Sequence, residues 1–297
     1  MRAGDPDGAL RESAALAMEL APRSCGANPV TGQPCAWYHG TWQALRLLGL
    51  VAGPDLDEPF LGQALRELAG AGHRPRILIC AAADYALAAH VFAALPANDP
   101  QVTVIDACDT PLHFNRWYAE RMSLHVETRK VDLFSYSPED AFDVILAHSL
   151  LGHIPLARRP GLARKWRDWL RPSGGVIAVN RLRRAPDSPQ TGFDEPQVQA
   201  FRAAALERLR ALDPPVPIEP RRLAETAEAY ARVRRPHVVR SEAELAELLA
   251  AQGMQIERSE LFTASADRSA GGIGPGAGGP RLRLIARRRE FLARSPK

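Results

Sequence analysis

The sequence predicts an α/β fold with a mostly parallel sheet, a helical segment before it and a helical insertion within it. Between residues 76 and 180, short apolar runs alternate with stretches of helical periodicity, the order that parallel strands and crossover helices require. The fourth run, 142–148, is almost wholly apolar, as expected for a central strand covered on both faces. The last two runs have no helix between them, which predicts an antiparallel pair at one edge.

Length and composition favour an ordinary globular protein. The chain has 297 residues, of which 46% are hydrophobic and 24% charged, consistent with one large domain carrying a cap. It contains no apolar stretch of about 18 residues, so we expect no membrane-spanning helix. Residues 1–7 do not resemble a signal peptide, and a cytoplasmic location is expected.

The cysteines and the net charge give weaker indications. Cys25, Cys35, Cys80 and Cys108 lack the spacing of common zinc motifs, so we predict reduced thiols and no metal site. The net charge of +4 permits an anionic partner but does not require one.

Residues 1–71 are predicted to form a helical cap. Helices are expected over Ala9–Leu20 and Phe60–Ala69. Between them, glycines and prolines in 25–36 break regular structure, and the aromatic segment Trp37–Trp42 leads into a leucine-rich stretch.

The centre of the fold is predicted to be a βαβ unit. A strand over 76–80 is followed by the small-residue turn Ala81–Asp84, a helix, and a strand over 102–105 that ends in Asp106. This order places the turn and the acid side by side at the carboxyl ends of neighbouring strands, where nucleotides bind. The carboxylate can accept hydrogen bonds from ribose hydroxyls. The turn lacks the usual glycines, so an incidental acid in an ordinary α/β core is the alternative.

The remaining elements continue the alternation. A helix is predicted to start at Asp109–Thr110–Pro111. The elements predicted after it are a strand over 124–128 with an end segment 131–134, a strand over 142–148, a helix over 156–170, a turn over 171–175 and a strand over 176–180.

The last part of the chain departs from this alternation of strands and helices. Residues 181–240 are predicted to be an insertion over the sheet edge, with helices Glu195–Leu212 and Arg221–Arg234. A capping box at Ser241 starts another helix. Strands Ile256–Phe262 and Leu282–Ala286 close the sheet, separated by a glycine-rich, mobile loop, 264–280. A domain over 72–289 is thus expected, followed by a tail, 290–297.

This order of elements resembles the class I S-adenosylmethionine-dependent methyltransferases, over residues 72–181 and 241–289. The segment 77–84 occupies the position of the family's glycine-rich motif, and 142–155 is similar to its fourth strand and the following turn. Trp169–Val176 resembles the family's Leu-Lys-Pro-Gly-Gly turn. The resemblance implies a Rossmann-like, seven-stranded sheet, S-adenosyl-L-methionine as cofactor and methyl transfer as activity.

The resemblance also implies which residues bind the cofactor. Asp106 matches the acid that holds the ribose, and Asp132–Leu133 matches the pair that contacts the adenine. Where the family has leading glycines, this chain has Ala81 and Ala83, which lose easy access to positive φ. Asp84 replaces the missing carboxylate that faces the methionine ammonium. The full predicted cofactor set is Ala81, Ala82, Ala83, Asp84, Asp106, Ala107, Asp132, Leu133 and His148.

Catalytic and acceptor-binding residues are predicted from chemistry and position. His148 ends the fourth strand near the expected methyl group, where it is a candidate general base; an alternative is a structural histidine. Tyr38 and His39 are the other catalytic candidates. Residues predicted to bind the acceptor are Trp37, Tyr38, Trp42, His153, Tyr230 and His237. The alternative for the aromatic segment is packing between cap and core.

Three functions follow as hypotheses. The leading one is methyl transfer to a small, polar acceptor. The second is a catalytically silent binding or scaffold protein, suggested by the alanines in the turn. The third is RNA methylation through the basic segment 158–167, although its Trp166 and Trp169 favour an amphipathic helix packed on the sheet. A nucleic-acid partner is therefore not expected, no membrane partner is expected, and a homodimer is left open.

Overall fold

Seven strands form one sheet in the computed structural model, which describes residues 6–27, 32, 34–70, 73–183, 188–263, 273–275 and 278–289. The strands are Arg76–Cys80 (β1), Gln101–Asp106 (β2), Val126–Lys130 (β3), Phe142–His148 (β4), Leu170–Arg181 (β5), Met254–Phe262 (β6) and Arg281–Arg288 (β7). Their order is β3-β2-β1-β4-β5-β7-β6. Strands β1 to β5 pair in parallel, whereas β7 is antiparallel to β5 and β6. The predicted sheet and terminal hairpin are thereby confirmed.

Helices occupy the predicted segments with small shifts at their ends, except that the aromatic segment Trp37–Trp42, expected just before a helix, lies within one. They are Pro6–Ser24 (α1), Ala36–Leu47 (α2), Glu58–Ala69 (α3), Ala86–Ala94 (α4), Asp109–Met122 (α5), Arg159–Trp169 (α6), Glu195–Arg210 (α7), Pro220–Val233 (α8) and Glu242–Ala250 (α9). Short 3-10 helices cover Pro54–Asp57, Leu150–His153 and Leu156–Arg158. Among the described residues, no helix combines the length and apolarity needed to cross a bilayer. Most of the glycine-rich loop 264–280 and the tail 290–297 lie outside the described residues.

Two predicted boundaries were wrong for identifiable reasons. β3 begins at Val126 rather than at Leu124, because the Leu124 N–H still donates to the Ala119 carbonyl at 2.8 Å and caps α5. The turn predicted over 171–175 lies within β5 as an irregular stretch, where the pairing with β4 shifts register. A Cβ at Gly174 would lie 2.8 Å from the Asp143 carbonyl oxygen, so glycine permits this close passage.

Local capping explains where α9 starts. The Ser241 hydroxyl accepts the Glu244 N–H at 3.1 Å, as predicted for α9. The Glu244 carboxylate accepts the Arg240 N–H instead of completing the predicted box. Cys108 is the N-cap residue of α5, which puts a thiol at the positive end of that helix.

The helices pack in several clusters around the sheet, among them one that joins α1 to α5. One apolar cluster packs α6 and α9 on one face of the sheet, and a second packs α3 and α4 against the strands. A third cluster joins α1, α2, α7 and α8, with Leu45, Phe201 and Tyr230 among its buried members. The predicted cap and insertion therefore share one hydrophobic core. We call these four helices the helical layer.

Candidate cofactor and acceptor site

A single cavity of about 520 Å³ lies between the carboxyl ends of β1, β2 and β4 and the helical layer. This volume falls within the range of small-molecule sites, about 300 to 1,000 Å³. Every residue predicted to bind cofactor or acceptor lines it: Trp37, Tyr38, His39, Trp42, Ala81, Ala82, Ala83, Asp84, Asp106, Ala107, Asp132, Leu133, His148, His153, Tyr230 and His237. The residues at the strand ends converge because parallel strands end at the same edge of the sheet, whereas those on α2 and α8 are brought there by helix packing.

The turn after β1 keeps a glycine-like backbone despite its alanines. Ala81 has a φ of +57°, in the left-handed region that L-residues occupy at a cost of about 1 to 2 kcal/mol. Its N–H donates to the Ile105 carbonyl at 2.9 Å, which ties the turn to β2. Alanine at this position therefore does not change the path of the turn.

Asp106 lies at the end of β2, half-buried in the cavity wall. Its Oδ1 accepts the Cys108 N–H at 2.7 Å, which fixes the carboxylate beside the turn of β1. Burial raises the pKa of Asp106 to about 6. The side chain is thus a partly desolvated acceptor that a ligand with hydroxyl donors can satisfy.

Asp84 also lies in the wall, but its carboxylate has protein partners. Its Oδ1 accepts the Ala86 N–H at 2.8 Å, and its Oδ2 pairs with Arg46 of α2. Arg46 also pairs with Asp55 at 2.8 Å. A ligand ammonium group at Asp84 would share the carboxylate with this arginine, so its role toward methionine stays a prediction.

Asp132 and Leu133 follow β3 in a tight turn. The Asp132 Oδ1 accepts the Phe134 N–H at 2.8 Å, and its carbonyl accepts the Ser135 N–H at 2.9 Å. Asp132 therefore satisfies backbone amides of its own turn. Both residues border the same cavity, so the adenine role stays a prediction.

His148 belongs to a buried charged network that sequence reasoning missed. Its Nε2 lies 2.9 Å from the Asp57 Oδ2 and 2.8 Å from the Arg281 Nη2. Asp57 is fully buried and also accepts the Arg283 Nε at 2.7 Å. Burial lowers the pKa of His148, so the ring is neutral near pH 7. In the tautomer whose Nε2–H donates to Asp57, Nδ1 carries no hydrogen and can act as an acceptor.

Aromatic rings connect the two parts of the helical layer. Tyr38 of α2 stacks on Trp42, with ring centroids 5.4 Å apart, and on Tyr230 of α8 at 6.0 Å. His153 meets the edge of Tyr38 at 5.4 Å, and Trp37 lies 5.9 Å from Tyr230. Burial raises the pKa of Tyr38, so its phenol stays protonated and suits hydrogen-bond donation better than base catalysis.

Arginines line the side of the cavity formed by α8 and the end of β5. Burial, Arg234 and Arg181 together lower the pKa of Arg183 to about 9. The Arg183 Nε has no hydrogen-bond partner among the described residues. Arg234 lies over the Tyr38 ring, 5.5 Å from its centroid. This region is strongly electropositive, and no acid of the described chain is paired with the Arg183 guanidinium.

The comparisons with known proteins agree with the sheet order. No family model matches the chain, and no curated protein matches it. The structure of the mitomycin 7-O-methyltransferase MmcR matches with a TM-score of 0.51 and 17% identity, over 96% of this chain and 69% of that one. The chain has the class I methyltransferase fold.

Two other solved structures are similar to this chain at lower scores. The N-methyltransferase NodS from Bradyrhizobium japonicum, in complex with S-adenosyl-L-homocysteine, has a TM-score of 0.46 and 15% identity over 83% of this chain and 97% of its own. The 1,6-didemethyltoxoflavin-N1-methyltransferase of Burkholderia thailandensis has a TM-score of 0.47 and 18% identity over 80% and 91%.

The basic segment of this methyltransferase fold lies on α6 and packs as the amphipathic alternative predicted. Trp166 and Trp169 are buried against the sheet. Arg159 is buried and donates to the Leu151 carbonyl at 3.0 Å and the Val238 carbonyl at 2.8 Å. Lys165 donates to the Tyr136 carbonyl at 3.0 Å. Much of the positive charge of this segment is therefore used inside the protein.

His39 is surrounded by thiols, which the sequence did not suggest. Its Nδ1 lies 3.5 Å from the Cys25 Sγ, and Cys108 Sγ lies 3.5 Å from Cys25 Sγ and 3.6 Å from Cys35 Sγ. Cys80 is buried in β1 and is not part of this group. The spacing argument against a metal site therefore fails, because these residues come from three separate segments.

Proposed function

We propose that this protein transfers a methyl group from S-adenosyl-L-methionine to a small acceptor that carries an anionic group. The observation that supports it most is the position of Asp106 at the tip of β2, beside the small-residue turn of β1, in a cavity that continues under the helical layer. The cavity has an acidic half at the strand tips and a cationic half at the helices.

The strand-tip half fits the cofactor by its chemistry. Asp106, with its raised pKa, offers a carboxylate to the two ribose hydroxyls. The small side chains of Ala81, Ala82 and Ala83 let the backbone approach the ligand, and Asp132 with Leu133 borders the space for the base. When bound, the cofactor supplies an electrophilic methyl group on a positively charged sulfur.

The helix-built half fits an anionic acceptor. Arg183 and Arg234 lie on this side of the cavity, where burial and the neighbouring charges of Arg234 and Arg181 lower the pKa of Arg183. A carboxylate or phosphate on the acceptor would offset these positive charges and gain charge-assisted hydrogen bonds. The rings of Tyr38 and Tyr230 provide a flat wall against which an acceptor can be oriented.

The protein's own contribution to the reaction is alignment, exclusion of water and proton removal. In-line displacement is accelerated when donor and acceptor are held in the reacting geometry, and the helical layer covers the strand tips for this purpose. His148 is neutral and fixed through Nε2, so its Nδ1 would accept the proton if the acceptor atom must lose one. Asp57 and Arg281 act as positioning residues for the ring.

Titration calorimetry with the demethylated cofactor, S-adenosyl-L-homocysteine, tests the proposal. The wild-type protein is expected to bind, and Asp106→Asn is expected to bind about 10- to 100-fold more weakly, because hydrogen bonds to a charged group contribute about 1.5 to 3 kcal/mol. Asp168→Asn is the control, since Asp168 is exposed on α6, outside the cavity. No heat with the wild-type protein, or equal affinity for both variants, would overturn the proposal.

The second candidate is a silent binding protein with this fold, favoured by the alanines where glycines are usual. The left-handed backbone of Ala81 argues against it, because the turn retains its form. The candidates differ in one measurement: a silent protein binds the demethylated cofactor but consumes no S-adenosyl-L-methionine with any anionic acceptor offered.

A further inference from the structure

Three cysteines and one histidine meet behind the strand-tip half of the cavity. Cys25 directly follows α1, Cys35 is the N-cap of α2, His39 lies in its first turns, and Cys108 is the N-cap of α5. One ligand atom from each lies within 4.8 Å of all the others. We call these four residues the thiol cluster.

The spacing within the thiol cluster matches a tetrahedral metal ion. Zinc bonds of about 2.3 Å to sulfur and 2.0 to 2.1 Å to nitrogen place tetrahedral sulfurs about 3.8 Å apart and sulfur about 3.6 Å from nitrogen. The structure has sulfur–sulfur distances of 3.5 and 3.6 Å and a Cys25 Sγ to His39 Nδ1 distance of 3.5 Å. A disulfide would require about 2.05 Å.

The surroundings of the thiol cluster favour bound thiolates. The hydroxyl of Thr110, a fully buried residue, lies 3.1 Å from the Cys25 Sγ, where it can donate to a thiolate. Cys108 sits at the positive end of α5, which stabilises negative charge on sulfur. Cys108 and His39 are buried, while Cys25 and Cys35 are partly exposed, so an ion can reach the site. These outer contacts orient ligands as in known metal sites.

We infer that the thiol cluster binds one zinc ion through Cys25, Cys35, Cys108 and His39. Thiolates and imidazole in a compact tetrahedron are the donor set that zinc prefers. All four positions are occupied by side chains of the protein, so the site is closed and its role is structural. The inference does not depend on the proposed methyl transfer.

The zinc site would hold the helical layer against the sheet. It joins the end of α1 and the start of α2 to the loop after β2, two residues beyond Asp106. The wall of the strand-tip half therefore includes zinc ligands, since Cys35, His39 and Cys108 line the cavity. Loss of the ion is expected to loosen the N-terminal helices before it affects the distant hairpin of β6 and β7.

Metal analysis of the full-length protein, purified without chelators, tests the inference. We expect about one zinc ion per chain, as closed sites of this donor set bind tightly. Cys35→Ser and Cys108→Ser are expected to lose most of the zinc. Cys80→Ala is the matched control, because Cys80 is a buried cysteine outside the thiol cluster, and it should retain the ion.

Cobalt substitution keeps the test valid if a cysteine variant fails to fold. Wild-type protein stripped of zinc and refilled with Co²⁺ should show thiolate-to-cobalt charge transfer and the intense visible bands of a tetrahedral ion. The inference is overturned if the wild-type protein holds no zinc and gives no such bands, if Cys108→Ser keeps its zinc, or if mass analysis without reductant finds a disulfide between Cys25 and Cys108.

Discussion

The two halves of the cavity are built in different ways. The strand-tip half is formed by Ala81, Asp106 and Asp132, each of which lies at or just beyond the carboxyl end of a parallel strand. The helix-built half is formed by side chains such as Tyr38 and Tyr230, from helices far apart in the chain that stack on each other. The first half is positioned by hydrogen-bonded strands, whereas the second depends on packing. Substitutions in the helical layer should therefore alter acceptor recognition more readily than cofactor binding.

The Asp57 network fixes His148 of β4 against β7, and its removal is expected to have the largest effect. Asp57 lies in the 3-10 helix before α3 and pairs with Arg281 and Arg283 of β7 as well as His148. Asp57→Ala would leave buried cations without a partner, so we expect a loss of about 3 to 5 kcal/mol in the free energy of unfolding. Urea denaturation measures it.

Asp55→Ala is the control for the Asp57 substitution. Asp55 is also paired with an arginine, but its side chain is 60% exposed. Asp55→Ala should therefore lower the free energy of unfolding by no more than about 1 kcal/mol. Similar losses of unfolding free energy for both variants would contradict the assignment of Asp57 as the shared partner of the buried cations.

The same network predicts a dependence of stability on pH. Burial alone would raise the pKa of Asp57, but the hydrogen bonds from His148 and Arg283 and the charge of Arg281 hold it below its usual range. An acid with a depressed folded pKa stabilises the protein above its unfolded pKa, about 3.9, and this stability is lost as the pH falls toward the folded value.

The stability difference between wild type and Asp57→Asn should therefore be constant from about pH 7 to pH 5 and shrink below about pH 4. Urea denaturation at each pH measures it. A difference that grows on acidification would contradict the assignment of a depressed pKa.

Arg183→Met should affect the helix-built half and not the strand-tip half, and its effect on stability should be smaller than that of Asp57→Ala. Burial, Arg234 and Arg181 disfavour the charge on Arg183, so its removal should stabilise the free protein by about 0.5 to 2 kcal/mol. Affinity for the demethylated cofactor should not change. Stabilisation by added inorganic phosphate, measured by thermal denaturation, should decrease if this half binds anions.

Arg202→Met is the control for Arg183→Met. Arg202 is exposed on α7 and pairs with Glu228 at 3.5 Å, so its loss should leave both stability and the phosphate effect almost unchanged. An unchanged phosphate effect in Arg183→Met would contradict an anionic acceptor.

The contrast between the halves also explains what the sequence could predict. The strands, their order and Asp106 follow from apolar runs and turns that are local in the chain. The pairing of Asp57 with Arg281 joins residues 224 positions apart, and Cys25 meets Cys108 across 83 positions. Neither contact leaves a local pattern in the sequence, because the contacting residues come together only when the chain folds. The cap and the insertion were also predicted as separate units, because their helices are distant in the chain. In the structure α1 and α2 of the cap share one hydrophobic core with α7 and α8 of the insertion.

The smallest expected effect concerns the turn of β1 and differs in sign between two alanines. Ala81 has positive φ, so Ala81→Gly should relieve about 1 to 2 kcal/mol of backbone strain in the folded protein. The glycine also makes the unfolded chain more flexible, which lowers the free energy of unfolding by about 0.4 to 1 kcal/mol. Its net effect should be a small gain in stability. Ala83 is not among the described residues with positive φ, so Ala83→Gly should lose about 0.4 to 1 kcal/mol.

Chemical denaturation of both variants measures this difference. Because the path of the turn is already glycine-like, neither change should alter affinity for the demethylated cofactor by more than about twofold, or 0.4 kcal/mol. Equal destabilisation by both substitutions would show that Ala81 is not strained. A large gain in affinity for Ala81→Gly would show instead that the alanine turn limits cofactor binding.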